Sequence, residues 1–158
     1  MKFLTTDNSS TISVGRYRID TERKMRIEEY QGKVVLGDLK SIVTAMSSDP
    51  CWSPDHHGLV DFSEAELELS ANDVLRLALM LRQDENRTRG WVAFAVRNSV
   101  AYGMVRMLGY WSRNTDRFRI FQSRQEAERW LERHIDNAPP GFRETSVTQK
   151  EEVLRNAV

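Results

Sequence analysis

The spacing of apolar residues changes several times along this chain, and each spacing predicts a different element. Alternating apolar and polar positions predict two strands, Tyr17–Asp20 and Met25–Tyr30, which form a hairpin ended by Gly32. Short apolar runs predict three further strands, at residues 58–62, 91–96 and 118–121. Apolar residues at helical spacing predict four helices, beginning near residues 36, 70, 99 and 123, and Ser99 is the predicted cap of the third. The predicted order is β-β-α-β-α-β-α-β-α.

This order indicates an α/β fold, with helices packed on a mixed β-sheet. The hairpin is antiparallel, and strands that alternate with helices are parallel and joined by right-handed crossovers. Residues 1–13 are polar and aperiodic, so we expect a flexible tail before the domain. The string Pro139-Pro140-Gly141 breaks the chain after the fourth helix. We therefore expect one domain over residues 14–136 and a C-terminal tail over 137–158, with a short helix near residues 151–154.

Charge and cysteine content narrow the class of protein. The formal net charge is +0, which argues against a nucleic-acid partner, because phosphate-binding surfaces usually carry a basic excess. A local basic patch is still compatible with five arginines that are close in sequence, Arg97, Arg106, Arg113, Arg117 and Arg119. The single cysteine, Cys51, cannot form an internal disulfide, and no apolar run is long enough for a signal peptide or a membrane span. We therefore expect a cytoplasmic protein.

The sequence contains no common catalytic or nucleotide-binding motif. It has no phosphate-binding P-loop string, no dinucleotide-binding glycine fingerprint and no nucleophile elbow. Asp61 and the glutamates at 64, 66 and 68 form an acidic stretch after the third strand, where two carboxylates could act as acid and base if one were desolvated. The alternation Glu66-Leu67-Glu68-Leu69 favours instead an extended segment whose charges face water. We predict a protein without enzymatic activity and without a cofactor.

Three residue types that bind metals lie close together between the first helix and the third strand. Cys51, His56 and His57 lie in one loop with Asp55. Their spacing matches no standard zinc pattern, and adjacent histidines rarely point the same way. We predict a solvated loop and keep these residues only as weak metal candidates.

Several strings, in their order along the chain, resemble the SpoIIAA-like family, whose fold is similar to the STAS domain of anti-sigma-factor antagonists. The strings are YRID at 17–20, GLVDFS at 58–63, AYGMVRM at 101–107, and FRIF at 118–121 followed by EAERWL at 126–131. The resemblance covers about residues 15–136. It implies a STAS-like fold, and similar folds either bind protein partners or carry lipids and other small apolar molecules.

One departure from the anti-sigma-factor antagonists concerns their phosphorylated serine. In those proteins the phosphorylated serine begins the helix after a strand that ends in an Asp-Leu-Ser-like string. Here that strand string is Asp61-Phe62-Ser63, and Ala71 stands where the resemblance places the phosphorylated residue. Ser70, just before it, is a hydroxyl at a helix start and so a weak phosphate candidate, but capping the helix is the commonest use of such a serine.

The third helix is apolar over more than one face. A helix of this kind either packs on the sheet or contacts a partner. Methionine and aromatic residues suit adaptable contacts, and a helical glycine lets another backbone or a ligand approach closely. We take as candidate partner- or ligand-binding residues Tyr102, Gly103, Met104, Arg106, Met107, Tyr110 and Trp111. Two functions follow: an interaction module that binds a protein partner or itself, or a carrier of a small apolar ligand such as a lipid.

Overall fold

The computed structural model describes residues 2–4 and 14–136. Over these residues the chain forms one six-stranded sheet in which the order of the strands equals their order in the chain. The strands are β1 (Lys2–Leu4), β2 (Gly15–Asp20), β3 (Met25–Val34), β4 (His57–Leu67), β5 (Val92–Ala95) and β6 (Phe118–Phe121), and the α-helices are α1 (Leu36–Ser47), α2 (Ala71–Leu81), α3 (Ser99–Trp111) and α4 (Arg124–His134).

The direction of the connections decides which face each helix covers. β1, β2 and β3 are antiparallel neighbours, whereas β3, β4, β5 and β6 pair in parallel. Each parallel step moves in the same direction across the sheet, so right-handed crossovers place their helices on the same face. α1, α2 and α3 accordingly share a large apolar core with that face, and α4 packs on the opposite face in a smaller core.

The α/β fold with helices packed on a mixed sheet is confirmed, and most predicted elements lie where the periodicity placed them. The hairpin turns at Thr21–Lys24, the Ser70 hydroxyl accepts the Asp73 N–H at 3.1 Å, and β6 spans residues 118–121 as predicted. Glu64 and Glu66 of β4 and Glu68 just after it are exposed, as predicted, but Asp61, whose charge was also expected to face water, is buried.

Three expectations need correction. Residues 2–4, which were expected in a flexible tail, form β1 and pair with residues 15–17 of β2, because the edge of β2 leaves backbone groups free to pair. Gly32 does not end its strand: it adopts φ +71°, near a register shift between Glu29 and Gln31, and β3 continues to Val34. Asn98 rather than Ser99 caps α3, since its Oδ1 accepts the Ala101 N–H at 2.8 Å. The expected C-terminal tail, 137–158, lies outside the described residues.

Candidate ligand-binding site

A cavity lies within the larger core, between the sheet and helices α1, α2 and α3. Its volume is about 60 Å³. Most of its wall is apolar and comes from all three helices and from β4, β5 and β6; these residues are Leu39, Val43, Val60, Phe62, Leu77, Leu81, Val92, Phe94, Leu108 and Phe118. The polar part of the wall consists of Arg26, Glu28, Tyr30, Asn86, Thr88 and Asn114.

Arg26 is the charged residue of this wall whose hydrogen bonds are incomplete. It is 4% exposed, and its Nε and Nη1 atoms are buried without a hydrogen-bond partner among the described residues. Burial lowers the pKa of its guanidinium, and the nearby Glu28 charge opposes that shift. A buried cation with unpartnered N–H groups is costly, so these groups favour an anion or an ordered polar molecule beside them.

Two neighbours explain how the sequence accommodates the Arg26 side chain. Gly58 pairs with Arg26 across β3 and β4, and a Cβ atom at position 58 would lie 2.6 Å from Nη2. Glycine is therefore required for the guanidinium to lie over β4. The Trp52 ring lies 5.5 Å from the guanidinium carbon, which provides a cation–π contact.

Glu28 and Tyr30 continue the polar row along the same face of β3. The Tyr30 hydroxyl donates to Glu28 Oε1 at 2.8 Å. Burial raises the pKa of the Glu28 carboxyl, and the Arg26 charge and the Tyr30 hydrogen bond offset only part of that rise. Burial on this face of the sheet therefore disfavours the charged form of Glu28.

An open groove adjoins the cavity. The groove has a volume of about 580 Å³ and shares Leu81 and Asn114 with the cavity wall. Five arginines line it, namely Arg82, Arg87, Arg89, Arg113 and Arg117. Two of these have carboxylate partners, Arg89 with Asp55 at 2.8 Å and Arg87 with Asp84 at 3.8 Å. Arg117 donates to the Thr88 carbonyl and to Asn114 Oδ1, so it connects the groove to the polar wall of the cavity.

The structure separates the arginines that are close together in sequence. Arg113 and Arg117 lie at the groove, but Arg106 lies over the Tyr102 ring at 5.9 Å. Arg119 lies on the opposite face, with its guanidinium carbon 5.1 Å from the Trp91 ring. The groove's basic character comes instead from arginines of two segments, 82–89 and 113–117.

The candidate residues of α3 divide between the core and the surface. Met104, Met107 and Trp111 are half-buried against the larger core. Tyr102, Gly103, Arg106 and Tyr110 are exposed. A Cβ atom at Gly103 would meet nothing within 4 Å, whereas one at Gly109 would lie 3.2 Å from the Phe118 ring. Within the described residues, the close approach to a glycine of α3 is therefore at Gly109.

The weak phosphate and metal candidates lie away from the cavity wall. Ser70 is exposed and caps α2. Cys51 is exposed, but His56 and His57 are buried, so the prediction of a solvated loop is wrong for the two histidines. The His57 Nδ1 accepts the Trp91 N–H at 2.9 Å, and burial lowers the pKa of this imidazole. Within residues 2–4 and 14–136, no three His, Cys, Asp or Glu side chains are grouped so that they could hold a metal ion.

Two acidic residues near the middle of β3 and β4, Glu29 and Asp61, are paired with arginines. Arg124 of α4 lies 3.2 Å from Glu29 and 3.4 Å from Asp61, and Arg16 also donates to Glu29. The pKa of Glu29 is lowered because the hydrogen bonds and charges of Arg16 and Arg124 outweigh the effect of its burial. These carboxylates join β2, β3 and β4 to α4, so they act in the fold rather than as a free acid and base.

Arg26 and Glu28 are not among the candidate site residues predicted from the sequence. Alternation along residues 25–30 places Met25 and Ile27 on one face and the two charged residues on the other, which is the usual pattern of a strand with a wet face. β3, however, is flanked by β2 and β4 and is covered on both sides. A charged residue on a strand that lies inside a sheet covered on both faces is expected to be buried, and this pattern could have identified both residues.

Comparison with known proteins identifies the fold. No model of a protein family matches the sequence, and neither does any curated protein. A solved structure does match: an uncharacterized protein of the DUF3478 family from Shewanella loihica PV-4, described as having a SpoIIAA-like fold. The match has a TM-score of 0.52 and 20% sequence identity, and it covers 79% of this chain and 99% of the other. No helix in residues 14–136 is both long and apolar enough to cross a membrane. The chain has a SpoIIAA-like fold, as its sequence strings predicted.

Proposed function

We propose that this protein binds a small, partly apolar molecule in the cavity between the sheet and helices α1, α2 and α3. The observation that supports this function is the unfilled volume of about 60 Å³ inside the larger core. Protein interiors are close-packed, and unfilled space in a core lowers stability. A cavity with an apolar wall and a few polar groups is the usual form of a small-molecule site.

The dimensions and chemistry of the cavity limit what it holds. Its volume of about 60 Å³ is below the roughly 150 Å³ that holds benzene in an engineered cavity. A long lipid chain therefore does not fit without movement of the helices, and a ligand of a few carbon atoms suits the observed space. The polar part of the wall can bind an anion and can donate hydrogen bonds to a ligand.

Filling the cavity tests this proposal. Val43 of α1 lines the cavity, and Val43→Ile adds one methylene to its wall. We expect this variant to gain up to about 0.8 kcal/mol of stability and to bind small molecules more weakly than the wild type. Ligand-observed NMR against a library of small acids, amides and alcohols measures binding, and urea denaturation measures stability.

The matched control is the same substitution outside the cavity. Val100 lies on α3 and is 63% exposed. Val100→Ile is expected to leave binding and stability unchanged. If Val43→Ile binds every library hit as well as the wild type does, the hits lie elsewhere and the proposal fails.

A second function, association with another copy of this chain, is favoured by the outer sides of α2 and α3. These two helices pack against each other. Five of the six large apolar side chains that are exposed in the described residues lie on them: Leu75, Leu79, Val100, Tyr102 and Tyr110. Exposed apolar groups gathered on one part of a surface are typical of interaction sites.

Charge introduced at the outermost of these side chains tests association. Tyr110 is 73% exposed, so Tyr110→Glu is expected to leave the fold intact, unlike a glutamate at the half-buried Met107 or Trp111. We expect a wild-type dimer and a Tyr110→Glu monomer by light scattering after size-exclusion chromatography. Gln125→Glu, an exposed substitution on α4, is the control and should remain dimeric. A wild type that is monomeric at high concentration would refute self-association.

A further inference from the structure

We propose that the molecule bound in the cavity is an organic carboxylate with a short apolar chain, and that Arg26 binds its carboxylate. This inference rests on the proposed small-molecule function and specifies its ligand. It is carried by a side chain that is 4% exposed, lines the cavity and has two buried N–H-bearing atoms without partners in the described part of the chain.

The environment of Arg26 leaves part of its guanidinium without acceptors. Glu28 shares its face of the sheet and its charge acts on Arg26, but Oε1 of Glu28 accepts the Tyr30 hydroxyl, and Nε and Nη1 of Arg26 have no partner among the described residues. Glu29, which follows Glu28, and Asp61, which lies opposite Glu29 on β4, are engaged with Arg124 on the other side of the sheet. A bound carboxylate would supply the missing acceptors in one group.

The adjoining groove supplies a second, independent indication of a negatively charged ligand. Among its five arginines, Arg82 and Arg113 add positive charge that no ion pair within the described residues offsets. A concave surface of one charge sign raises the local concentration of ligands of the opposite sign. Because the groove and the cavity share Leu81 and Asn114, an anion drawn to the groove arrives next to the cavity.

The apolar part of the wall determines the rest of the ligand. Beyond the polar row, the wall consists of aliphatic and phenylalanine side chains, such as Val43, Leu77 and Phe94. Inorganic phosphate would leave this surface in contact with a charged group, which is unfavourable. A carboxylate joined to one or two carbon atoms offers a group to each part of the wall and suits a volume of about 60 Å³.

The test compares acetate with acetamide, which has the same number of heavy atoms and no charge. Binding to the full chain is measured by NMR titration, with the Arg26 Nε–H resonance as a local reporter. We expect acetate to bind about tenfold more tightly than acetamide and to shift the Arg26 Nε–H signal. Arg26→Met should remove the preference while leaving weak binding of acetamide.

Stability measurements separate this role from a purely structural one. Since Arg26→Met removes a buried cation whose hydrogen bonds are incomplete, the variant is expected to be at least as stable as the wild type. The double variant Arg26→Met/Glu28→Gln controls for the buried carboxyl that loses its neighbouring cation. A large loss of stability in both variants would make Arg26 a structural residue and overturn the inference.

The remaining outcomes are also decisive. Equal binding of acetate and acetamide to the wild type overturns the carboxylate inference and leaves the small-molecule function standing. Tight binding of inorganic phosphate, with no binding of acetate, also overturns it. If neither acetate nor acetamide binds, the carboxylate inference fails, and if Val43→Ile also leaves the binding of every library hit unchanged, the proposed function fails with it.

Discussion

Leu131→Ala is expected to lower the free energy of unfolding by about 3 to 4 kcal/mol. Leu131 is completely buried in the core between α4 and the sheet, where it packs with Met25, Ile27 and Leu59. Replacing a buried leucine by alanine loses the transfer energy of three carbon atoms and leaves a cavity. On this face α4 is the helix that covers the sheet, so no second helix of the described chain can move in to close the void.

Urea denaturation followed by circular dichroism measures this effect. Arg129→Ala is the control, because Arg129 is exposed on the same helix and its replacement is expected to change stability by less than about 0.5 kcal/mol. If Leu131→Ala costs no more than Arg129→Ala, α4 is not packed on the sheet in solution.

Gly90→Ala is expected to lower stability by roughly 3 kcal/mol. A Cβ atom at this position would lie 2.6 Å from the His56 carbonyl oxygen and 3.0 Å from His57 Nδ1. The backbone cannot easily move away, because hydrogen bonds join these segments on either side: the Arg89 N–H donates to the Pro54 carbonyl at 2.7 Å, and the Gly58 N–H donates to the Trp91 carbonyl at 2.8 Å. The added methyl group therefore separates two segments that the fold holds together.

The same substitution at Gly103 provides a control of opposite sign. A Cβ atom there meets nothing within 4 Å, and the residue lies inside α3. Alanine is a better helix former than glycine, so Gly103→Ala is expected to add roughly 0.5 to 1 kcal/mol. Thermal unfolding of the two variants should move the melting temperature in opposite directions. Two shifts of the same sign would contradict the close packing described at Gly90.

The elements that the sequence predicts well are those whose local pattern and tertiary environment agree. Ser70 and Ser123 have side chains that accept hydrogen bonds from the third residue of the helix that follows, and both helices begin there. The alternation of Glu64 and Glu66 with half-buried neighbours continues along β4 as expected of a strand with one wet face.

What the sequence does not predict depends on partners that are distant along the chain. β1 has three residues and is defined by pairing with β2. Arg26 has the local pattern of a solvent-facing residue and is buried only because three helices cover its face of the sheet. Gly103 and Gly109 lie in the same helix, and only the position of the Phe118 ring decides which of them is in close contact.

The order of the sheet also has a consequence during synthesis of the protein. Each strand pairs with the strand that precedes it in the chain, so the partner of each strand has already been synthesised when that strand leaves the ribosome. The sheet and the three helices on its first face can therefore assemble progressively. α4 follows the last strand, and until it emerges, the apolar row that includes Met25, Ile27 and Leu59 is uncovered on the nascent chain. An apolar surface exposed at that stage is what molecular chaperones bind.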